Sequence, residues 1–382
     1  MSKAFLFIFL ALGLAVEAHA LQFLPEWRPF GDVRRFALHG DYQIIGKRAD
    51  SGFSQTLTIE PDALLTDTFR LHARWRPLNN ELFLVRGKAV QGVGANALNN
   101  QTLERLFFEG RWLGLDIAGG RLPFEFHNLY MAQDDVQGIL IARNNYSILS
   151  LPNIRILFFG TALGAKSQLT GNGRENRDVG LYGVDTVVDT THYTIETTLG
   201  YLHDNIVHQD EQYGGLSVVR VSPTHVTSLR IFGNWDKEKE GVGVVIEQSF
   251  VFFSAMYMDR PTLYLNSFWG NADFQSMANG SFKNIGFLFN SVGGAPQLDN
   301  MRSDALGFAT GILLGKSRDF TITPEIAALF DQSSNGDNQV GAGVRTQIRM
   351  FDTSFLRVDV ATIHQANKPN QVSTTAQIVY KF

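Results

Sequence analysis

Arg70, His72, Arg74 and Arg76 alternate with Phe69, Leu71, Ala73 and Trp75. Guanidinium groups at every second position suit one kind of chemistry. They keep their charge at any physiological pH and fork onto carboxylate or phosphate. The same test of alternation adds Arg86 and Lys88, then Arg105 and Arg111, and later Arg155, Arg220, Arg230, Arg345, Arg349 and Arg357. Acidic residues in equivalent positions are fewer: Asp41, Glu109, Glu196, Glu247, Glu325 and Asp359. Two readings stay open. The arginine excess handles anions, or the arginines pair with the acids and stiffen a wall.

Other chemistry finds less support. Asp134-Asp135 and His203-Asp204 lie where loops begin, as a rim protease would need, but nothing in the sequence makes them meet. Scattered serines and nine histidines single out no Ser–His pair. His203 and His208 share a loop, yet two spaced histidines are more often solvated than metal-bound. Gly92-Val93-Gly94 has no helix after it to build a phosphate site. The absence of cysteine excludes disulfides and thiolate metal sites. No catalytic residue, metal site, cofactor or nucleic-acid partner is therefore expected.

What could hold a row of arginines? In Phe69–Arg76 one parity is apolar and the other charged, the pattern of a β-strand with two different faces. Segments of about ten residues with this alternation, split by turn residues, recur along the chain and read as a transmembrane β-barrel. The apolar parity then faces lipid and the arginines face the lumen. Nineteen segments can be marked, eleven clear and eight weaker. They include Phe53–Glu60, Phe69–Arg76 and Glu81–Val90, the last two separated by a turn at Pro77–Asn80. Single-chain bacterial barrels have even strand numbers. The expectation is an all-β antiparallel barrel of about 18 strands over residues 34–382, one N-terminal segment being over-counted; 16 is the alternative. A mean hydropathy of −0.06 fits half the positions facing lipid and half facing water.

The ends agree. Residues 1–20 carry Lys3, an apolar run from Ala4 to Val16 and Ala18-His19-Ala20, the form of a cleaved signal peptide. Residues 21–33 read as a periplasmic lead-in. At the other end Ala376, Ile378, Tyr380 and Phe382 alternate with Gln377 and Lys381. An exposed strand like this would aggregate, whereas in a barrel its edge pairs with the first strand. Ending on Tyr-Lys-Phe resembles the terminal strand of bacterial outer-membrane barrels, which implies recognition of Tyr380 and Phe382 by the barrel-assembly machinery.

The largest connection, Ala272–Arg302, has an apolar core of Phe282, Ile285, Phe287, Leu288 and Phe289. It either folds into the pore as a constriction or stays outside as a hairpin or capping helix. Trp112, Tyr201, Trp235, Tyr264, Trp269 and Tyr380 read as interfacial anchors. Phe107, Phe159 and Phe232 have inward parity, where a sugar could stack.

Residues 103–138 carry the most specific pattern: Leu-Glu-Arg-Leu-Phe-Phe-Glu-Gly, a turn, Leu-Asp-Ile-Ala-Gly-Gly-Arg-Leu-Pro-Phe, then Asp134-Asp135-Val136-Gln137-Gly138. It resembles the alginate-export-type outer-membrane barrels and, more loosely, phosphate-type and carbohydrate-type porins. It departs from them at Asp135-Val136-Gln137-Gly138, where a Gly would usually follow the Asp. The resemblance implies an 18-stranded monomer passing an anionic polysaccharide, with Arg121 pointing into the pore. Gly119-Gly120 would then be a bulge that re-aims Arg121. The sequence is thus read as an outer-membrane channel for anionic solutes, small molecules or acidic saccharides. The alternatives are a plugged barrel serving as a surface binding or structural protein, and a rim enzyme.

Overall fold

In lipid every backbone N–H and C=O must find a partner inside the protein, which leaves only helices and closed barrels. No helix among the described residues is long and apolar enough to cross a membrane. The computed structural model describes residues 36–47, 52–66, 68–85, 88–91, 102–127, 132–148, 151–163, 179–204, 209–236, 238–252, 261–274, 285–289, 298, 304–316, 319–332, 338–350, 354–365 and 368–381. The expected signal peptide, lead-in, Arg86, His208 and Phe382 lie outside these residues.

The strands are β1 (Phe36–Lys47), β2 (Gly52–Leu64), β3 (Phe69–Val85), β4 (Lys88–Gln91), β5 (Thr102–Trp112) and β6 (Leu115–Phe126). Next come β7 (Ala132–Ile148), β8 (Leu151–Leu163), β9 (Val179–Asp189), β10 (Tyr193–Asp204), β11 (Gln209–Val221) and β12 (His225–Trp235). The last are β13 (Glu240–Val251), β14 (Thr262–Gly270), β15 (Ala305–Lys316), β16 (Phe320–Asp331), β17 (Gln339–Arg349), β18 (Phe355–Gln365) and β19 (Gln371–Lys381). Apart from β4, each pairs antiparallel with the next strand in sequence, and β1 closes on β19 through Asp41–Lys381 to Lys47–Thr375. Among the described residues β4 pairs only with the end of β3, and β3 also pairs with β5. The closed wall therefore has eighteen strands, nineteen less β4.

The over-counted segment can now be named. Phe69–Arg76 and Glu81–Val90 are not separated by a turn: β3 runs through Pro77 to Val85. Pro77 lacks a ladder donor, and the pairing of β2 with β3 skips there, from Leu57–Leu78 to Ile59–Trp75. β2 likewise continues past Glu60 to Leu64, carrying Asp62 onto the wall.

Outward side chains form the band that lipid requires. In β10, Tyr193, Ile195, Leu199 and Tyr201 are exposed; in β16, Phe320, Ile326 and Phe330 are. Aromatic residues at both ends of these rows sit where girdles sit.

One hairpin leaves the wall. β5 pairs with β6 only up to Leu106–Arg121, and β8 pairs with β7 only up to Gln137–Ala162. Beyond those points, among the described residues, β6 and β7 pair only with each other, through Phe126–Ala132. Gly120 stands at the hinge with φ +123°, and a Cβ there would lie 2.4 Å from the Leu106 carbonyl oxygen. Gly120→Val should destabilise the vesicle-inserted barrel by about 1–3 kcal/mol, read as a lower urea midpoint. Gly160→Ala, whose Cβ would meet Tyr182 only at 3.5 Å, should leave it unchanged. Equal midpoints for both variants would remove the hinge from the account.

Candidate functional site

The inner face is not uniformly polar. On β1–β5 it is charged; from β8 to β18 much of it is apolar, and a loop segment sits against it. Ile285–Phe289 and Leu298 are buried with inward Phe159, Phe232, Phe268, Ala305, Ala309, Ala327 and Ile363. Gly343 leaves room for them: a Cβ there would come within 3.1 Å of Leu288 and Phe287. Of the two readings of Ala272–Arg302, its described residues follow the inward one. Burial of each of these large side chains contributes about 1.5–3 kcal/mol.

A carboxylate fixes the segment. The Phe287 and Leu288 N–H groups donate to the two oxygens of Glu325 at 2.8 and 2.7 Å. The Tyr264 hydroxyl donates to the same carboxylate. Asn266 donates to the Ile285 carbonyl at 2.5 Å, and the Leu298 N–H donates to the Leu288 carbonyl at 2.9 Å. The Arg345 guanidinium stacks over the Phe287 ring at 4.8 Å while forking onto Asp359 at 2.9 and 2.8 Å.

Between this segment and the wall lies a cavity of about 750 Å³. Arg230, Arg345 and Arg357 reach it, with Glu247, Tyr264, Asn266, Gln347 and the apolar Ile285 and Phe287. Arg230 contacts Glu247 directly, and Ser228 bridges the pair. Arg357 differs. Its Nη atoms donate to the amide oxygens of Gln377 and Gln347 at 3.4 and 3.1 Å, and it lies 5.1 Å over the Phe355 ring. Among the described residues it has no carboxylate within ion-pair distance, and its Nε is buried without a hydrogen-bond partner.

Across the lumen the first arginine row is matched by acids. Arg74 meets Glu60 at 3.1 Å, and Arg70 lies 4.0 Å from Glu109. His72 stands between Asp62 at 2.5 Å and Glu109 at 3.0 Å, stacked on Phe107. Arg111 pairs with Asp116 at 2.8 Å. Glu60, Asp62 and Asp116 were not counted as inward acids, so the sequence overstated the unpaired positive charge. Arg76 lies opposite Thr102, and Arg105 opposite Arg74. Arg349 lies opposite Phe355 at the short-turn end. The side chains of Lys88 and Arg155 lie outside the described residues, as does all of Arg86.

Two arginines differ from expectation. Arg121 is the last β6 residue paired to β5, opposite the exposed Leu106, so it shares the outward face. The register runs without a shift through Gly119-Gly120: the glycines make a hinge, not a bulge, and Arg121 is not turned inward. Arg220 is opposite Tyr193 on the outer wall and lies 5.9 Å from that ring. Of the rim pair weighed for a protease, His203 meets Asp210 at 2.7 Å.

His127 gave no sequence signal. It follows β6 with φ +49° and is 1% exposed, docked on β10 and β11 four and five strands away. Its N–H donates to Glu196 at 2.9 Å; its ring nitrogens lie 2.5 Å from the Ser217 hydroxyl and 2.8 Å from that of Thr198. Thr198 in turn donates to Asp185 at 2.6 Å. Burial first, and Arg230 second, lower the His127 pKa from 6.5 to about 3, so the ring stays neutral.

No family model matches the sequence, and no curated protein does. Solved structures do match. OpdK, an outer-membrane protein of Pseudomonas aeruginosa, superposes with a TM-score of 0.61 at 13% identity, over 90% of this chain and 97% of its own. OccK5 (OpdH) of the same organism gives 0.61 at 11%, over 91% and 97%. Wzi of Escherichia coli, a carbohydrate-binding barrel involved in capsule assembly, gives 0.59 at 10%, over 90% and 84%. The chain has the fold of bacterial outer-membrane barrels. At such identities the likeness concerns the fold alone.

Glu325→Ala should leave the Phe287 and Leu288 N–H groups without their acceptor, at a cost of about 1–3 kcal/mol per group. Chymotrypsin cleavage at Phe287 or Phe289 should then accelerate in the detergent-solubilised barrel. Cleavage as slow as in the parent chain would show that the clasp does not hold the segment.

Proposed function

We propose that this protein is a porin-like channel of the bacterial outer membrane that passes small anionic solutes by diffusion. Arg357 carries the reading. It is an inward guanidinium on the 750 Å³ lumenal cavity, held by neutral amides instead of a carboxylate. A fixed cation in a low-dielectric tube raises the local concentration of anions. Among the described residues its charge meets no carboxylate at ion-pair distance, so a passing carboxylate gains a partner and can still leave, as conduction requires. The apolar Ile285 and Phe287 across the cavity favour an anion with an apolar body. OpdK, similar in fold, has been crystallised with vanillate, an aromatic carboxylate. An acidic saccharide is the finer alternative that the alginate-export resemblance suggests. The reading assigns no catalytic residue and no cofactor.

A second reading is favoured by the buried segment Ile285–Phe289. A lumen closed by it would make the barrel a binding protein, and Wzi, similar in fold, is described as binding carbohydrate.

Swelling of reconstituted liposomes separates these readings. Benzoate should enter faster than a neutral sugar of similar size, and Arg357→Glu should slow benzoate roughly tenfold, the low end of what a focused charge adds to entry. Arg220→Glu on the outer wall should change nothing. Permeation absent from folded barrels would favour the binding reading; benzoate entry insensitive to Arg357→Glu would reject the anion site.

A further inference from the structure

We propose that His127, Asp185 and Glu196 form a binding site for one divalent transition-metal ion, which clips the inward-leaning β6–β7 hairpin to the wall at β9 and β10. The inference does not depend on the channel reading. The three residues come from three separate places: the end of β6, the middle of β9 and the start of β10. Their imidazole nitrogen and carboxylate oxygens all lie within 4.8 Å of one another. His127 Nδ1 is 3.6 Å from Glu196 Oε2. That is too long for a hydrogen bond. It is close to the roughly 3.3 Å that separates two donors sharing a tetrahedral ion with bonds of about 2.0–2.1 Å.

The surroundings fit an ion. His127 and Asp185 are buried, while Glu196 is partly open to the lumen and gives a path of entry. Two carboxylates brought so close below the surface repel each other, and a divalent cation between them removes that repulsion. One imidazole with two carboxylates suits zinc and its first-row neighbours; calcium and magnesium prefer all-oxygen shells. The hydroxyls of Ser217 and Thr198 lie at the two ring nitrogens. Ser217 yields Nδ1 to the ion, and Thr198 stays as the partner that orients the ring through Nε2, the usual companion of a metal-bound histidine. Among the described residues, the hairpin beyond Arg121 has no ladder partner outside itself. An ion at its tip would supply the cross-link that the missing ladders do not.

The test uses the full-length mature barrel, without a polyhistidine tag, stripped by EDTA in detergent. It is then equilibrated with micromolar zinc chloride in millimolar magnesium and calcium. Bound zinc is measured by mass spectrometry, and folding by heat-modifiable migration. The expected result is about one zinc per folded barrel, a higher unfolding temperature with zinc, and loss of both effects in His127→Ala and Glu196→Gln. Thr198→Val, which removes only the orienting hydroxyl, should weaken binding roughly 10–100-fold. If His127→Ala does not fold, Glu196→Gln decides, since it keeps the shape and removes the charge. Wild-type barrels that bind no zinc, or variants that bind it equally, would overturn the proposal.

Discussion

A sheet in lipid cannot keep an edge. Each unpaired N–H or C=O in the hydrocarbon would cost several kcal/mol, so the first and last wall strands must meet. The pairing of β1 with β19 is that meeting, and it runs seven residues, from Asp41–Lys381 to Lys47–Thr375. Everything else follows from closure. A closed antiparallel wall has two faces, strict alternation assigns every strand residue to one of them, and the inner face becomes the only place where polar chemistry can gather.

Closure also creates a hollow, and the chain fills part of it. Ile285–Phe289 packs on the small inner residues of β15–β18, and the β6–β7 hairpin enters from the other side until His127 reaches β10 and β11. Phe232 lies between His127, at 5.5 Å, and Phe274, just after β14, at 6.5 Å. Charge is arranged in the same economical way. Arg70, Arg74, Arg111, Arg230 and Arg345 each stand beside a carboxylate. Such pairs order the wall and leave little net field. Among the described residues, Arg357 stands apart from these pairs, held by amides beside an apolar segment.

The barrel itself was legible because alternation repeats. A weak signal in Phe69–Arg76 becomes strong when it recurs in Val340–Met350 and Phe355–Ile363. Eighteen strands were expected, and the error in the raw count came from Pro77, a residue that normally ends a strand and here sits inside β3. One of the paired acids is hidden for a related reason: Pro61 masks the continuation of β2 to Asp62. The inward loops were not legible, since nothing in Ile285–Phe289 says which surface covers it. Inward Phe159 and Phe232 were read as stacking platforms, although both belong to the seat of that segment. His127 is a lone histidine after a strand, and its partners lie 69 and more residues away. The Gly119-Gly120 pair does not distinguish a bulge from a hinge by composition, and the unshifted register settles it as a hinge.

The central claim is that a partly filled, mostly charge-balanced lumen still conducts and prefers anions. Its most direct test is the reversal potential of single barrels in planar bilayers across a potassium chloride gradient. The account predicts an open channel whose reversal potential has the sign of chloride preference. A folded barrel that conducts with potassium preference, or that does not conduct at all, would contradict it.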